Sequence, residues 1–251
     1  MPTLATIDDV IHELTRIVER AKADRSRLGY FAALYRNVTI RVRDGVAAGR
    51  FEDGARIQRL DVLFAARYLD ALRTYRAGHQ PTRSWAVAFR MAQSWPLLII
   101  QHLLLGIHAH INLDLAIAAV ETSPGAELSG LKRDFDSIND VLGEMLDDVQ
   151  NRIARVSPWA GVLDRLGART DEEIFTFGLG KSRALSWQAA LSLNQVQGPL
   201  RMAQVDLHDR AVATLATPIY NPGLFVRTAL MGVRAREIGD IGAIIDALSA
   251  K

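Results

Sequence analysis

Apolar residues recur at every third or fourth position along most of the chain, which is the spacing of an amphipathic α-helix. Thr6 and Asp9 match the capping-box pattern that begins a helix. The residues directly after them carry apolar side chains on one face of that helix. No alternating run of apolar and polar residues is long enough for a β-sheet, and no repeat is evident. The pattern therefore predicts an all-α helical bundle that folds as one domain over residues 1–251.

Glycine and proline residues divide the chain into about ten predicted helices. Gly78 ends one long segment, Pro96 opens the most apolar one, and Pro158 opens a short one. Thr170 and Glu173 form a second capping-box pattern. The main predicted helices span about 30–48, 55–77, 96–120, 131–156 and 171–196, and the last third divides into shorter helices that end near residue 250.

The segment from Pro96 to Val120 is apolar on all sides, and its only charged residue is Asp114. It is long enough to span a bilayer. However, Gln101, three histidines and Asn112 lie along it, and each polar side chain would be costly in lipid. We therefore expect no transmembrane segment. The sequence predicts a central helix over 96–120 that the other helices surround.

Two polar side chains of this helix, His110 and Asp114, are one helical turn apart. The spacing suits a two-ligand site for Zn, Fe or Mn, to which His102 from the same helix and Asp61 from the 55–77 helix could add ligands. Alternatively, Asp114 accepts a hydrogen bond from the ring of His110 or pairs with an arginine of a neighbouring helix. The second reading is favoured for Asp114, and the sequence leaves both open.

Gln101, His108 and Asn112 form a second polar line, nearly opposite the first. The favoured interpretation is a hydrogen-bond network between helices. The alternative keeps His108 and Asn112 as substrate-binding residues.

The 55–77 helix carries Asp61, Arg67 and Tyr68 among apolar neighbours, so these polar side chains are expected to be at least partly buried. A buried carboxylate must be paired, bound to a metal or protonated. Asp61 is therefore a candidate metal ligand or general base, although a salt bridge with an arginine is the commoner arrangement. Tyr68 is a candidate catalytic residue that orients the substrate, and Arg67 is a candidate for binding an anionic group.

Further candidates lie on two later helices. Arg183 and Trp187 are one turn apart on the 171–196 helix, where Arg183 could bind an anionic group or neutralise a buried aspartate. Around residue 136, Asp134 is expected to complement a helix dipole. Asp136 and Asn139 remain possible site residues.

Composition narrows the classes of function. The net charge of +2 is too small to indicate a nucleic-acid partner. The chain has no cysteine, which excludes disulfides, thiolate metal ligands and a cysteine nucleophile, and fits a cytoplasmic protein. Phosphate-binding loops, a serine nucleophile elbow and a dinucleotide fingerprint are all absent, so no nucleotide or flavin cofactor is indicated.

Several stretches resemble an uncharacterised, mainly bacterial family of helical proteins with a domain of unknown function. They include residues 60–71, Leu-Asp-Val-Leu-Phe-Ala-Ala-Arg-Tyr-Leu-Asp-Ala, and residues 101–115, Gln-His-Leu-Leu-Leu-Gly-Ile-His-Ala-His-Ile-Asn-Leu-Asp-Leu. The resemblance covers most of the chain and implies an all-helical fold but no known activity. In that family the position of His108 is often Asn, whereas His102, His110, Asn112 and Asp114 match the family pattern.

The chain is also similar, much more weakly, to zinc-dependent phospholipase C and the single-strand nucleases of its fold. Those proteins are all-helical and use His-x-x-x-Asp pairs on helices. The similarity implies a zinc site. This chain has too few histidines for a three-metal cluster, so Asp61, His102, His110 and Asp114 would hold one or two ions at most.

Three functions fit these patterns. The first is a metal-dependent enzyme, hydrolase or oxygenase, acting on a small or lipid-like molecule. The second is a metal-free cyclase, lyase or isomerase in which His110 and Asp114 act as acid and base. The third is a binding or scaffolding protein whose polar core only specifies packing. All three allow an oligomer.

Overall fold

The computed structural model of the chain describes residues 4–94, 96–158 and 171–250, and within them every regular element is a helix. The all-α prediction is confirmed. The helices are α1 (Ile7–Ala23), α2 (Gly29–Ala47), α3 (Gly54–Arg76), α4 (Arg83–Met91), α5 (Ile99–Thr122), α6 (Leu128–Glu144), α7 (Leu146–Ala154), α8 (Asp171–Asn194), α9 (Gly198–Leu215), α10 (Thr217–Tyr220), α11 (Leu224–Arg234) and α12 (Ile241–Ser249). The short helix expected after Pro158 and the capping residue Thr170 lie outside the described residues.

The central helix α5 packs against α2, α3, α4 and α8 and contributes to both large hydrophobic clusters of the core. It is long and apolar enough to cross a membrane, but most of its residues are buried inside the fold. This burial is typical of the core helix of a soluble protein. In the described part of the chain, the helix therefore occupies the central position that the sequence predicts.

α5 differs from its predicted form in two ways. It begins at Ile99 rather than near Pro96, since the Gln101 side chain accepts a hydrogen bond from the Leu98 amide and Glu237 accepts one from the Ile99 amide. Its middle, residues 110–114, is a π-helical turn between two α-helical parts, Ile99–Ala109 and Leu115–Thr122. Such single turns insert one residue into a helix and are frequent at functional sites.

The predicted 131–156 helix is in fact two helices, α6 and α7, which meet at Met145. α6 begins at Leu128, so Asp134 lies in its second turn and does not complement its dipole as expected. Instead, the buried Asp134 carboxylate accepts hydrogen bonds from the amides of Glu52 and Asp53, 2.7 and 3.0 Å away, just before α3 begins. This contact fixes the start of the helix that carries Asp61.

Asp136 and Asn139, which the sequence kept as possible site residues, are both exposed. Asp136 forms a surface ion pair with Lys132, one turn earlier on α6. Both side chains face solvent, and a site role for either residue stays a prediction.

Close approach of α2 to α5 depends on a glycine. A Cβ atom at Gly106 would lie 2.6 Å from two ring carbons of Phe31 on α2. The Phe31 ring packs edge-on against His110 and against Trp85. The missing side chain at position 106 therefore lets the aromatic cluster reach the middle of α5.

We expect Gly106→Ala to lower the free energy of unfolding by about 1–3 kcal/mol, because an overpacked core must shift to admit the methyl group. Gly143→Ala is the matched control, since a Cβ atom there meets nothing within 4 Å and alanine favours the helix by about 0.5–1 kcal/mol. Urea denaturation of both variants measures the difference. Equal stability of the two variants would contradict the close packing described.

Candidate functional site

His110 and Asp114 form a hydrogen-bonded pair across the π-helical turn of α5. The ring Nδ1 of His110 lies 3.0 Å from Oδ2 of Asp114, and both residues are buried. The i, i+4 spacing thus brings the two side chains together, and Asp114 accepts a hydrogen bond from the ring of His110 as one of the two interpretations of this pair predicted. Because a carboxylate only accepts hydrogen bonds, the ring carries its proton on Nδ1 and leaves a lone pair on Nε2.

Two further side chains approach the Asp114 carboxylate, one as a hydrogen-bond donor and one as an ion-pair partner. The indole Nε1 of Trp85 on α4 donates to the same oxygen over 2.8 Å, and Nε of Arg67 on α3 lies 3.6 Å from the other oxygen. Three helices therefore meet at one buried carboxylate. This arrangement holds the negative charge in the core and orients the ring of His110.

The ring of His110 is enclosed by aromatic side chains. Phe64 stacks on it with 3.5 Å between ring centroids and 5° between planes, and Tyr35 packs edge-on at 4.6 Å. Its Nε2 is buried and has no hydrogen-bond partner in the described part of the chain. Burial lowers the pKa of His110 more than the neighbouring Asp114 raises it, so the ring is neutral at pH 7.

His110 lines a cavity of about 110 Å³ among α2, α3, α5, α6 and α8. Its wall consists mainly of leucine, isoleucine, valine and aromatic side chains, and its polar members include His110, Asp61 and Arg183. An apolar cavity with a few convergent polar groups is the usual form of a small-molecule site.

Asp61 enters this cavity from α3. It is 7% exposed, and its Oδ2 atom is buried without a hydrogen-bond partner among the described residues. Burial raises the pKa of Asp61 from 3.8 to about 7. The arginine salt bridge that the sequence favoured is not formed within residues 4–94, 96–158 and 171–250, so no cation offsets the effect of burial on this pKa.

Arg183 enters the cavity from α8 and is 3% exposed. Its Nη2 donates to the backbone carbonyl of Phe135, and the guanidinium lies 4.5 Å from the centroid of the Phe135 ring. Its Nε is buried and has no hydrogen-bond partner that the structure describes. Burial lowers the pKa of Arg183 to about 10, which still leaves the side chain positively charged at pH 7.

The structure does not bring all four expected metal ligands to one place. His102 lies beside a separate cavity of about 20 Å³, which Tyr68 also lines, and its ring packs edge-on against Tyr30. Burial lowers the pKa of His102 to about 3. Among the described residues, no group of three or more histidine, aspartate or glutamate side chains is placed to hold a metal ion. The metal site stays a prediction.

His108 and Asn112 form the expected network between helices. Nε2 of His108 donates to the carbonyl of Val212 over 2.8 Å, while its Nδ1 accepts from the Asn112 amide at 2.9 Å. His208 donates from Nε2 to the Asn112 carbonyl over 2.7 Å, which joins α5 to α9 a second time. Gln101 bonds elsewhere, to the carbonyl of Ile219. A substrate-binding role for His108 and Asn112 stays a prediction.

The remaining candidates lie at the margin of the site. Trp187 is buried beside Arg183 and packs against Phe135 with 4.9 Å between ring centroids, but it does not line the 110 Å³ cavity. Arg67 and Asp114 border a separate cleft of about 230 Å³. The buried hydroxyl of Tyr68 has no described hydrogen-bond partner, and burial raises its pKa.

A scan of protein-family models matches residues 7–222 to a family of unknown function, DUF5995. The match covers most of the chain. The chain belongs to the DUF5995 family. This membership confirms the resemblance to an uncharacterised family of unknown function, and it assigns no activity.

Comparisons of this DUF5995 member with curated proteins and with solved structures found no match. The weaker similarity to zinc-dependent phospholipase C and its related nucleases therefore stays a prediction.

Sequence reasoning missed Trp85, Phe64 and Tyr35 as parts of the site of this DUF5995 chain. A buried tryptophan needs an acceptor for its indole N–H, so the apolar helix that carries Trp85 was a usable signal for a nearby carboxylate. The stacking of Phe64 on His110 depends on how α3 rotates against α5, and no local pattern reports that rotation.

We expect Asp61→Asn to stabilise this DUF5995 chain at pH 8 but not at pH 4. The folded protein favours the protonated, neutral form of Asp61, because burial raises its pKa from 3.8 to about 7. The wild type therefore loses stability as the pH rises through this range, whereas the asparagine side chain of the variant has no charge to bury. The pKa difference corresponds to a gain of about 4 kcal/mol at most. Urea denaturation at both pH values measures it. Asp136→Asn, which changes an exposed carboxylate, should show no comparable pH dependence, and a similar result for both variants would contradict the burial of Asp61.

We also expect the ring of His110 to be neutral and protonated on Nδ1 at pH 7. Long-range ¹H–¹⁵N spectra distinguish the two tautomers and the charged ring. The His110→Asn variant assigns the signals by removing them. A protonated Nε2 at pH 7 would contradict the proposed free lone pair.

Proposed function

We propose that this protein is an enzyme that binds a small, largely apolar molecule in the 110 Å³ cavity and performs acid–base chemistry on it with His110 and Asp61. The observation that carries the proposal is the placement of two titratable side chains in one apolar cavity, each with a buried polar atom that no described residue engages. Arg183 and Tyr35, which line the same cavity, each have such an atom as well. Unpartnered buried polar groups are costly, so a fold that retains four of them in one cavity points to a ligand.

His110 serves as the base. Its Nε2 lone pair accepts a proton from the bound molecule, and the Asp114 carboxylate then stabilises the imidazolium through Nδ1. Asp114 never contacts the substrate in this scheme, and it acts as a positioning residue. The hydrogen bond from Trp85 keeps the carboxylate oriented throughout.

Asp61 serves as the acid. With a pKa of about 7, its protonated form is well populated at neutral pH and can donate to a second atom of the same molecule. The net change is a proton shift, and exchange with solvent then returns the proton to Asp61 and removes it from His110. Isomerisation, elimination or cyclisation of a small metabolite all fit this chemistry. Tyr68, which lies beside the smaller cavity, has no part in it.

A metal-dependent hydrolase or oxygenase is the alternative. Catalytic Zn, Fe and Mn sites usually take three protein ligands, and the described residues supply no such group. The fit of His110 and Asp61 to a metal is therefore poorer than their fit to proton transfer. The lack of cysteine and the burial of α5 support a cytoplasmic enzyme, and the small net charge supports a small-molecule rather than a nucleic-acid partner.

The proposal is tested by incubating the protein with a bacterial metabolite extract in D₂O and following mass changes by mass spectrometry. We expect the wild type to convert or deuterate one class of compound, and His110→Asn and Asp61→Asn each to lose at least about 100-fold in rate. His110→Asn keeps a donor for Asp114 but lacks Nε2. Asp246→Asn is the surface control, since this carboxylate is exposed, pairs with Lys22 and does not line the cavity.

Two outcomes would overturn the proposal. The first is no conversion and no deuterium uptake by the wild type. The second is activity that EDTA abolishes and Zn, Fe or Mn restores, which would favour the metal-dependent alternative. Activity that persists in EDTA and is lost in both site variants supports metal-free acid–base chemistry.

A further inference from the structure

Arg183 differs from the other buried arginine side chain of the described chain, Arg152. Arg152 is 5% exposed and forms an ion pair with Asp148 on its own helix. Arg183 is 3% exposed, and within the described residues it forms no ion pair. The exposed carboxylate of Asp136 acts on it only at longer range and raises its pKa, against the larger lowering by burial. The hydrogen bond that it makes within the described residues goes to a neutral backbone carbonyl, that of Phe135.

A buried guanidinium without an anion is expensive, because the low-dielectric interior does not replace the lost hydration. The carbonyl and the face of the Phe135 ring stabilise the charge only in part. The Nε–H donor has no described acceptor, and the residue lines the cavity. The missing partner of Arg183 is therefore expected on the cavity side.

Asp61 does not serve as that partner, although it lines the same cavity. No ion pair joins the two residues, and the pKa of Asp61 is raised by burial with no compensating contribution from a cation. An arginine close enough to neutralise Asp61 would have lowered that pKa. The cavity wall thus contains the positive guanidinium of Arg183 and, not paired with it, the largely neutral carboxyl group of Asp61.

We propose that the ligand of this cavity is a small apolar carboxylate whose carboxylate group binds Arg183, a proposal that rests on the cavity being the site of the function above. One guanidinium matches one negative charge, and its planar donors suit the two oxygens of a carboxylate. The remaining wall is apolar, and about 110 Å³ suits a body of roughly benzene size, since a cavity of about 150 Å³ accepts benzene.

This placement gives the ligand a direction. The carboxylate lies at α8, while the apolar body extends toward α3 and α5, from which Asp61 and His110 enter the cavity. Arg183 would thus bind and orient the substrate without taking part in proton transfer. The chemistry would occur on carbon atoms of the body, at a distance from the anchored end.

The test uses three six-carbon probes of similar shape, hexanoate, 1-hexanol and hexylamine, in titrations followed by NMR at pH 7.5. We expect the wild type to bind hexanoate at least about tenfold more tightly than hexanol, which corresponds to about 1.4 kcal/mol, and hexylamine most weakly. Arg183→Gln should bind hexanoate and hexanol equally. Arg183→Lys, which keeps the charge, should retain part of the preference. Arg133→Gln, at a side chain that is 80% exposed, is the control and should behave as the wild type does.

The outcomes separate this inference from the proposed function. Equal binding of hexanoate and hexanol by the wild type, or a preference that survives in Arg183→Gln, would overturn the role of Arg183 while leaving the cavity as a ligand site. Binding of neither probe would overturn the inference and the cavity together. If Arg183→Gln fails to fold, a full loss of the preference in a folded Arg183→Lys overturns the charge-based reading.

Discussion

The buried carboxylate of Asp114 is the interaction on which the centre of this fold depends. It lies on the middle helix and is 1% exposed. Arg67 on α3 forms an ion pair with it, and Trp85 on α4 donates a hydrogen bond to it. A carboxylate in such surroundings requires all of its partners, because removing one leaves a buried charge uncompensated at a cost of about 3–5 kcal/mol. The requirement fixes the rotation of three helices at once. It also determines which nitrogen of His110 is free, so packing and site geometry have one common cause.

The cavity beside this carboxylate carries groups that burial makes unfavourable. Asp61 would be more stable as an amide at neutral pH, and Arg183 has only a carbonyl and an aromatic ring beside it. Neither arrangement stabilises the fold. The rest of the core compensates for both, with apolar side chains from both hydrophobic clusters around α5. Destabilising polar groups of this kind are expected where function requires them, because active sites commonly trade stability for activity.

The spacing of apolar residues along the sequence predicted much of the fold but less of the candidate site. The α5 segment and its central position could be predicted because it is apolar on all sides, and the His110–Asp114 contact followed from the i, i+4 spacing. The π-helical turn was not predictable, since it depends on how neighbouring helices press on the middle of α5. Buried aspartates most often form a salt bridge, so the sequence suggested an arginine partner for Asp61. Whether an arginine reaches it depends on helix rotation, which a sequence alone does not report.

His102 and His110 show what distinguishes a site from a core position. Both are buried on the same helix, and burial lowers the pKa of each. Yet His102 lies beside a cavity of about 20 Å³, room for little more than a water molecule, with neither ring nitrogen bonded to a described partner. His110 has one nitrogen fixed by a carboxylate, and its ring lines a cavity more than large enough for several water molecules. Burial alone gives a neutral histidine. His110 is the better candidate base because the hydrogen bond to Asp114 orients its ring and its Nε2 lone pair, and because the ring lines a cavity that can hold a ligand.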